Sequence, residues 1–375
     1  MVFARTSLGI LFLVTSVFLM QGVTIATPDA SPSNSATARG DIQRTGVFEG
    51  PSPDFESDVS TLWNTPLGDT ITAPPASAGG AVIVPSKELG LTALDIDTGA
   101  VRWQLARSAE IRWSPAIDGD AVISADVRGS VFAVSLEDGL PLWETVIPPG
   151  ELTSPAVSDG LVVVTSSSKV VTALDRETGV IRWQETFPET ISTMPSISDG
   201  TVYFGDVRGT IFGLDLLTGD VIWTAVAPSA VIEAVVLTDD AVVVAASGGA
   251  VVSFSRESGD VSWQEALGSR PTGAPVVTGD VVVIGTAGRN VHALDAQSGT
   301  QVWTVPSPDV VGAISAVGPF IITGSVGGQV MVVDQEMGAT VWQEIVPSVV
   351  VGQPIVSGGH LVIVTEVGDV IAYAS

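Results

Sequence analysis

The chain contains no cysteine in its 375 residues. Structural disulfides, thiolate metal sites and thiol nucleophiles are therefore excluded. Histidine is nearly absent as well, since only His292 and His360 occur, and their separation gives no local metal-binding spacing. We also find no nucleophile–base pair and no glycine-rich phosphate loop followed by a helix. The sequence therefore predicts no cofactor, no metal site and no catalytic residues.

Basic residues are scarce, and lysine most of all, with Lys87 and Lys169 as the two examples. The formal net charge is −26 at neutral pH. A strongly acidic surface repels phosphate backbones, so we expect no nucleic acid partner. The acidity itself is typical of a protein that depends on charge for its solubility.

The main long apolar run lies at the N-terminus. Residues 1–26 combine a basic start at Arg5, a run of mostly apolar residues over 8–20 and a small residue, Ala26, where cleavage is expected. The run is short for a membrane span, so the pattern predicts an export signal, with an uncleaved N-terminal anchor as the alternative. We expect a periplasmic, cell-surface or secreted protein. It would contact a membrane only through this segment.

Two further segments precede the repeated part of the chain. Residues 27–38 are small and polar and predict a flexible linker. Residues 39–56 are expected to wrap along the outside of the fold that follows. The tripeptide Arg39-Gly40-Asp41 spells an adhesion motif that is common by chance, and we give it no functional weight.

Tryptophan recurs with a fixed period in the rest of the chain. Seven of the nine tryptophans are spaced by 40 residues and an eighth follows after 39. A period near 40 predicts a propeller of four-stranded antiparallel blades. The tryptophans of this column, which we expect to dock one blade onto the next, are Trp63, Trp103, Trp143, Trp183, Trp223, Trp263, Trp303 and Trp342.

A glycine stands four residues before seven of these tryptophans, and an Asp or Ser stands eight before. The Asp or Ser side chain can bond the backbone of its own turn, and glycine can take the positive φ that closes a short hairpin. The glycines predicted to close these turns are Gly99, Gly139, Gly179, Gly219, Gly259, Gly299 and Gly338. The motif is therefore interpreted as structural.

The two ends of the chain predict how the ring closes. Residues 59–65 form a fourth strand without a unit, because Val59 replaces the turn glycine before Trp63. The last unit has three strands, over 354–356, 361–365 and 370–374, and then stops. Pairing the two leaves no open sheet edge between the termini. The predicted fold is an all-β, eight-bladed propeller over residues 39–375, closed by an N-terminal strand that completes the C-terminal blade.

The repeated motif Ala-Leu-Asp-x-x-Thr-Gly-x-x-x-Trp, as at 93–103 and 173–183, resembles that of the quinoprotein-like (PQQ-like repeat) eight-bladed propellers. Residues 39–46 are similar to the lead-in found before such propellers. The resemblance implies the fold, and it leaves two functions open. In size and blade number the chain most resembles the non-enzymatic outer-membrane-protein assembly factors of the BamB type. The same family contains quinone-dependent dehydrogenases.

The sequence favours the scaffold over the dehydrogenase. The resemblance implies that an enzyme would carry a vicinal cysteine pair, a Glu/Asn/Asp set around Ca²⁺ and insertions at the funnel. This chain has no cysteine, and its spacing stays at 40 residues and then 39, so no unit carries an insertion. We expect a monomeric, non-catalytic scaffold that binds other proteins. The alternative is a small-molecule-binding or PQQ-dependent protein that uses the central funnel.

Trp113 is the one tryptophan outside the repeated column. Its position predicts a connection into an innermost strand, near one mouth of the central channel. With Arg107 and Arg112 nearby, it is a candidate anchor for protein interaction, because tryptophan and arginine are frequent at interfaces. The alternative is that Trp113 fills a gap beneath its own loop.

Overall fold

We describe a computed structural model of the chain over residues 39–375, with positions 42 and 149 excepted. The predicted signal and linker, residues 1–26 and 27–38, lie outside the described residues. Every regular element in the described part is a β-strand. No helix there is long and apolar enough to cross a membrane.

The strands are short and follow one another through tight turns. Their bounds are β1 (Ser60–Pro66), β2 (Ala76–Ala78), β3 (Ala81–Ser86), β4 (Gly90–Asp95), β5 (Val101–Leu105), β6 (Ala116–Asp118), β7 (Ala121–Ala125), β8 (Ser130–Ser135), β9 (Pro141–Val146), β10 (Ala156–Ser158), β11 (Leu161–Ser166), β12 (Val170–Asp175), β13 (Ile181–Thr186), β14 (Thr193–Met194), β15 (Ser196–Ser198), β16 (Thr201–Gly205), β17 (Thr210–Asp215), β18 (Val221–Val226), β19 (Val231–Leu237), β20 (Ala241–Ala246), β21 (Ala250–Ser255), β22 (Val261–Ala266), β23 (Val276–Thr278), β24 (Val281–Thr286), β25 (Asn290–Asp295), β26 (Gln301–Pro306), β27 (Val311–Val317), β28 (Phe320–Ser325), β29 (Gln329–Asp334), β30 (Thr340–Ile345), β31 (Ile355–Ser357), β32 (His360–Val364) and β33 (Asp369–Ala374).

These strands form eight antiparallel sheets, which confirms the predicted propeller. Blades 1 to 3 are β2–β5, β6–β9 and β10–β13, blade 4 is β15–β18, and blades 5 to 7 are β19–β22, β23–β26 and β27–β30. The short β14 joins blade 5 through a parallel pairing with β19. The second and third strands of each blade are almost entirely buried and rich in Val, Ile and Leu, as expected of sheets covered on both faces.

Blade 8 contains β31, β32 and β33, and its fourth strand is β1 from the opposite end of the chain. Ser60 pairs with Ala374 and Pro66 with Asp369 in an antiparallel ladder. Trp63 lies opposite Ala372 in the same register in which Trp183 lies opposite Ala173 in blade 3. The predicted closure is therefore confirmed, and blade 8 repeats the geometry of a blade made from one continuous segment.

The tryptophan column lies between successive blades. Seven indole Nε1–H groups donate to a backbone carbonyl of the next blade at 2.8–3.0 Å. In each case the acceptor is the residue that follows the Asp or Ser of the turn, for example Arg176 for Trp143. Trp342 contacts the rings of Phe55 and Tyr373. We infer that the column fixes each blade against its neighbour, since a large ring fills the wedge and its N–H is satisfied there.

Each turn glycine lies directly beneath the indole of the preceding blade. Gly179 has φ +68°, and a Cβ built on it would lie 2.5 Å from the Trp143 ring. Across all seven glycines the corresponding distance to the indole is 2.5–3.1 Å. The glycine is thus required twice, by its backbone conformation and by the ring packed against it.

Gly179→Ala is expected to lower the free energy of unfolding more than Gly160→Ala, which lies in the same blade. Gly160 has φ +72°, and a Cβ added there would have no atom within 4 Å. Its replacement adds backbone strain alone, about 1 kcal/mol. Gly179→Ala adds overpacking against Trp143, about 1–3 kcal/mol more. Urea unfolding of both variants measures the difference, and equal losses would show that the indole contact contributes nothing.

Residues 39–48, which we call the strap, do not wrap along the outside of the ring, and that expectation was wrong. Instead, the strap crosses the ends of the innermost strands. The amides of Leu237, Val277 and Ala316, in blades 5, 6 and 7, donate to strap carbonyls at 2.9–3.0 Å. Phe48 N in turn donates to Ala316 O at 2.8 Å. The strap therefore binds backbone groups of the innermost strands that are not paired within their own sheets.

Candidate functional site

A cavity lies at the centre of the ring, where the connections into the innermost strands converge. Its volume is about 260 Å³. Its lining includes one position from the same repeat column in six of the eight blades, namely Ala73, Trp113, Glu233, Gly273, Ala313 and Gly352. Small residues dominate this column, and the cavity exists because they leave the centre unfilled.

The strap supplies the two buried cations near the ring centre. Arg44 is fully buried, and its guanidinium donates to the carbonyls of Pro195 at 3.1 Å, Pro155 at 2.9 Å and Ser154 at 3.3 Å. Arg39 is also buried and lines the cavity, with Nε donating to Arg44 O at 3.1 Å and Nη2 donating to Pro275 O. Burial lowers the pKa of both side chains. Arg39 is consequently not displayed as an adhesion motif would require.

Asp41 holds the strap in its bent conformation. Its carboxylate accepts from the backbone N–H of Thr45 at 3.0 Å and from the hydroxyl of the same residue. Burial raises the pKa of Asp41, and the two bonds from Thr45 with the nearby Arg44 act in the opposite direction. Gly46 follows, and a Cβ there would lie 2.7 Å from Val276 Cγ2. The strap therefore fits closely against blade 6.

Glu233 provides the one carboxylate among the residues that line the cavity. It is a non-glycine residue at φ +56°, and its Oε2 accepts from Ala274 N at 3.0 Å. Burial raises the pKa of Glu233, while the charge of Arg39 acts to lower it. Strained backbone at a charged residue facing a cavity is typical of a functional position.

Trp113 lines the same cavity and reaches across the ring from blade 2. It packs against a core cluster that contains Met194 of β14, Ala234 of blade 5 and Ala274 of blade 6. Its indole Nε1 is buried and has no hydrogen-bond partner among the described residues. The structure thus places Trp113 at the central cavity, packed against this cluster, and not on an outer face.

The two arginines proposed to join Trp113 lie in different surroundings. Arg107 pairs with Glu144 at 2.7 Å and Asp126 at 3.2 Å, and its guanidinium carbon lies 4.1 Å from the centre of the Phe132 ring. The hydrogen bond from Arg107 helps to lower the pKa of Glu144 to about 2. Arg112 lines the cavity, with half of its side chain exposed, and pairs with Glu110 and Glu151. Arg107 is therefore bound within blade 2, and Arg112 alone accompanies Trp113.

Neither histidine is among the residues that line this cavity. His292 lies in β25 with Nδ1 at 3.1 Å from Thr304 Oγ1, and His360 Nδ1 lies 3.9 Å from Asp97 Oδ1. Over residues 39–375, apart from the two undescribed positions, no three His, Cys, Asp or Glu side chains are grouped so that they could hold a metal ion.

Sequence reasoning found Trp113 and missed Arg39, Arg44 and Glu233 as parts of the centre. A signal for Glu233 was available, because it is the one acidic residue in a column of otherwise small or neutral residues. The strap arginines gave no such signal, since they precede the repeat and have no column to depart from.

Comparison with known proteins gives one family match and many fold matches. The family model described as outer membrane protein assembly factor BamB matches residues 56–192, 189–310 and 288–375. No curated protein sequence matches significantly. BamB from Moraxella catarrhalis is 17% identical with a TM-score of 0.72, and the match covers 85% of this chain and 100% of that one.

Two other solved structures show how widely the fold is shared. The computationally designed Ika8 protein is 18% identical with a TM-score of 0.75, covering 84% of this chain and 98% of its own. A quinohemoprotein alcohol dehydrogenase from Pseudomonas putida is 12% identical with a TM-score of 0.76, and the match covers 90% of this chain and 79% of that one. At these identities the likeness shows the fold alone.

Proposed function

The chain belongs to the family of the outer membrane protein assembly factor BamB, and from this we propose that it is a non-catalytic, extracytoplasmic scaffold for envelope protein assembly. The observation that carries the proposal is the extent of the family match. It runs from residue 56 to residue 375 and so includes all eight blades and the closing strand β1. The partner we propose is a protein component of the outer membrane assembly machinery.

The central cavity does not fit the cofactor that the dehydrogenase alternative requires. Ca²⁺ takes six to eight oxygen ligands, several of them carboxylates, as a rough rule. Glu233 is the one carboxylate that lines the cavity, and it lies near the buried cation Arg39. Trp113 and Arg39 of the strap line the same cavity. These residues do not provide a site for PQQ and Ca²⁺, which supports the scaffold.

A thermal shift experiment tests the two functions against each other. A ligand that binds the folded state raises the melting temperature by mass action. We expect PQQ with Ca²⁺ to leave the melting temperature of the full chain unchanged. A rise that grows with PQQ concentration would favour the dehydrogenase alternative.

The outer strand of blade 4 carries the surface that we propose for partner binding, and we call it the blade 4 rim. It consists of Leu217, Val221, Ile222 and Val226, which are 51–70% exposed. The matching positions in blade 5 are Glu257, Val261, Ser262 and Ala266, so the neighbouring rim is far less apolar. Several exposed large apolar residues on one outer strand and its turn, on an acidic protein, favour an interaction surface.

Site-specific photo-crosslinking tests this surface. A photoreactive residue at Ile222 is expected to crosslink, in the native envelope, to a protein of the outer membrane assembly machinery. The same residue at Ser262, the matching exposed position of blade 5, is the control and is expected to give little product. Equal products at both positions, or an Ile222 product unrelated to outer membrane assembly, would contradict the proposed function.

A further inference from the structure

The central cavity offers more hydrogen-bonding groups than the protein itself uses. Ser154 is buried and lines the cavity, and its Oγ has no hydrogen-bond partner among the described residues. The indole Nε1 of Trp113 is in the same state. A buried polar group left unpaired costs about 1–3 kcal/mol, and such groups in native proteins are satisfied by a bound molecule or ordered water. Two unpaired groups on one cavity indicate a place for a polar molecule.

The described lining of the cavity carries two cations, Arg39 and Arg112, and one anion, Glu233. Arg39 uses Nε and Nη2 for backbone carbonyls, and its Nη1 makes no hydrogen bond within the described part of the chain. Glu233 uses Oε2 for Ala274 N, and Oε1 has no such bond there. Both side chains therefore keep a free polar atom on a cavity that they line together. Arg112 at the same cavity is already paired with Glu110 and Glu151.

The presence of both Arg39 and Glu233 at the cavity disfavours ligands that carry a single charge. A simple anion attracted by Arg39 would be repelled by Glu233. A simple cation attracted by Glu233 would be repelled by Arg39. A molecule with both charges satisfies both groups, and complementarity of this kind sets specificity. The volume of about 260 Å³ is near the lower end for ligand pockets, so the molecule is small.

We propose that the central cavity binds a small zwitterion of the α-amino acid class. Its carboxylate accepts from Arg39 and from the unpaired donors of Ser154 and Trp113, its ammonium donates to Glu233, and its side chain lies against the Trp113 ring. This site is separate from the blade 4 rim, so the proposal stands or fails independently of the scaffold function.

Calorimetric titration of the full chain with free amino acids tests the proposal. We expect saturable binding of at least one small amino acid at neutral pH. Acetate and ethylamine, which each carry one of the two charges, are expected to bind at least about tenfold more weakly, since each leaves one charged group unpaired. Absence of heat with every amino acid at about 10 mM would overturn the proposal, as would acetate or ethylamine binding as tightly as the amino acid. Either result would indicate that the cavity holds only water.

Variants then locate the site. Ser154→Ala and Trp113→Phe each remove one unpaired donor and are expected to weaken binding about tenfold. Ser124→Ala is the matched control, because Ser124 is also buried with an unpaired Oγ but does not line the cavity. It is expected to bind as the unaltered chain does.

Glu233→Gln keeps the size of the side chain and removes its charge. It is expected to abolish the preference for an amino acid over acetate. Arg39, which binds the ligand's carboxylate, remains, whereas the carboxylate that binds the ligand's ammonium group is lost. Thermal melts of each variant confirm folding. Unchanged affinities in Ser154→Ala, Trp113→Phe and Glu233→Gln together would place the binding elsewhere and overturn the proposal.

Discussion

Replacing Arg44 with alanine is expected to lower the free energy of unfolding by about 3–5 kcal/mol. The side chain is fully buried, and it donates to the carbonyls of Pro195, Pro155 and Ser154. Alanine leaves those acceptors without their donor and leaves a void between blades 3 and 4 and the strap. Because the strap holds blades 5 to 7 through backbone bonds, its release is also expected to increase hydrogen exchange at the amides of Leu237, Val277 and Ala316.

Arg208→Ala is the control for this variant. Arg208 is 72% exposed and pairs with Glu189 at 3.4 Å, so its loss is expected to cost less than about 0.5 kcal/mol. Denaturant unfolding at neutral pH measures both changes. A loss in Arg44→Ala no larger than in Arg208→Ala would mean that the strap does not contribute to the stability of the ring.

The repeated columns predicted most of the ring. In blade 3 the repeat predicts strands over 155–157, 161–165, 170–174 and 180–185, and these ranges differ from β10–β13 by one residue at most at each end. The prediction succeeds because each column meets one local requirement. Asp175 bonds the N–H of Thr178 within its own turn, Gly179 takes a positive φ, and Trp183 fills the next wedge. Closure was predictable for the same reason, since the missing turn before Trp63 leaves one strand without a blade.

The centre of the ring was not predictable in the same way. The strap occurs once, so no column shows which of its residues are buried, and Arg39 and Arg44 are ordinarily surface residues. Their burial depends on carbonyls brought together from blades 3, 4 and 6, which are more than 100 positions away along the chain. Trp113 was singled out as a departure from the repeat. Its direction, into the channel and against Met194, depends on the curvature of the whole ring.

Removing strand β1 is expected to have the largest effect on the fold. A chain that begins at residue 69 lacks Trp63, whose ring covers Gly99 and whose Nε1 donates to Ile96 O at 2.9 Å. Trp63 is partly buried, and loss of a fully buried tryptophan costs about 3–5 kcal/mol, so its loss alone is expected to cost up to that amount. Loss of the strand also leaves the ladder groups of β33 unpaired along Asp369–Ala374, and an open apolar edge promotes association. We expect this chain to elute as oligomers or aggregate and to lose cooperative unfolding.

A chain that begins at residue 53 is the matched control, because it loses the strap and keeps β1. We expect it to remain a folded species of lower stability, and size-exclusion chromatography with urea unfolding separates the two outcomes. Equal behaviour of the two truncated chains would mean that β1 is dispensable for closure.

Moving β1 to the other end of the chain tests closure without removing any contact made by that strand. Residues 60–66 can follow Ser375 through three residues copied from the blade 3 turn, 177–179, in a chain that begins at residue 67, so that Trp63 follows Ala372 by ten positions as Trp183 follows Ala173. The register permits this, because Trp63 faces Ala372 as Trp183 faces Ala173. If pairing of β1 with β33 closes the ring, the permuted chain should match the chain beginning at residue 53 in size and cooperativity, since exposed termini tolerate permutation. Aggregation of the permuted chain would show that the ring depends on the covalent order in which β1 precedes blade 1, and not on the ladder of blade 8.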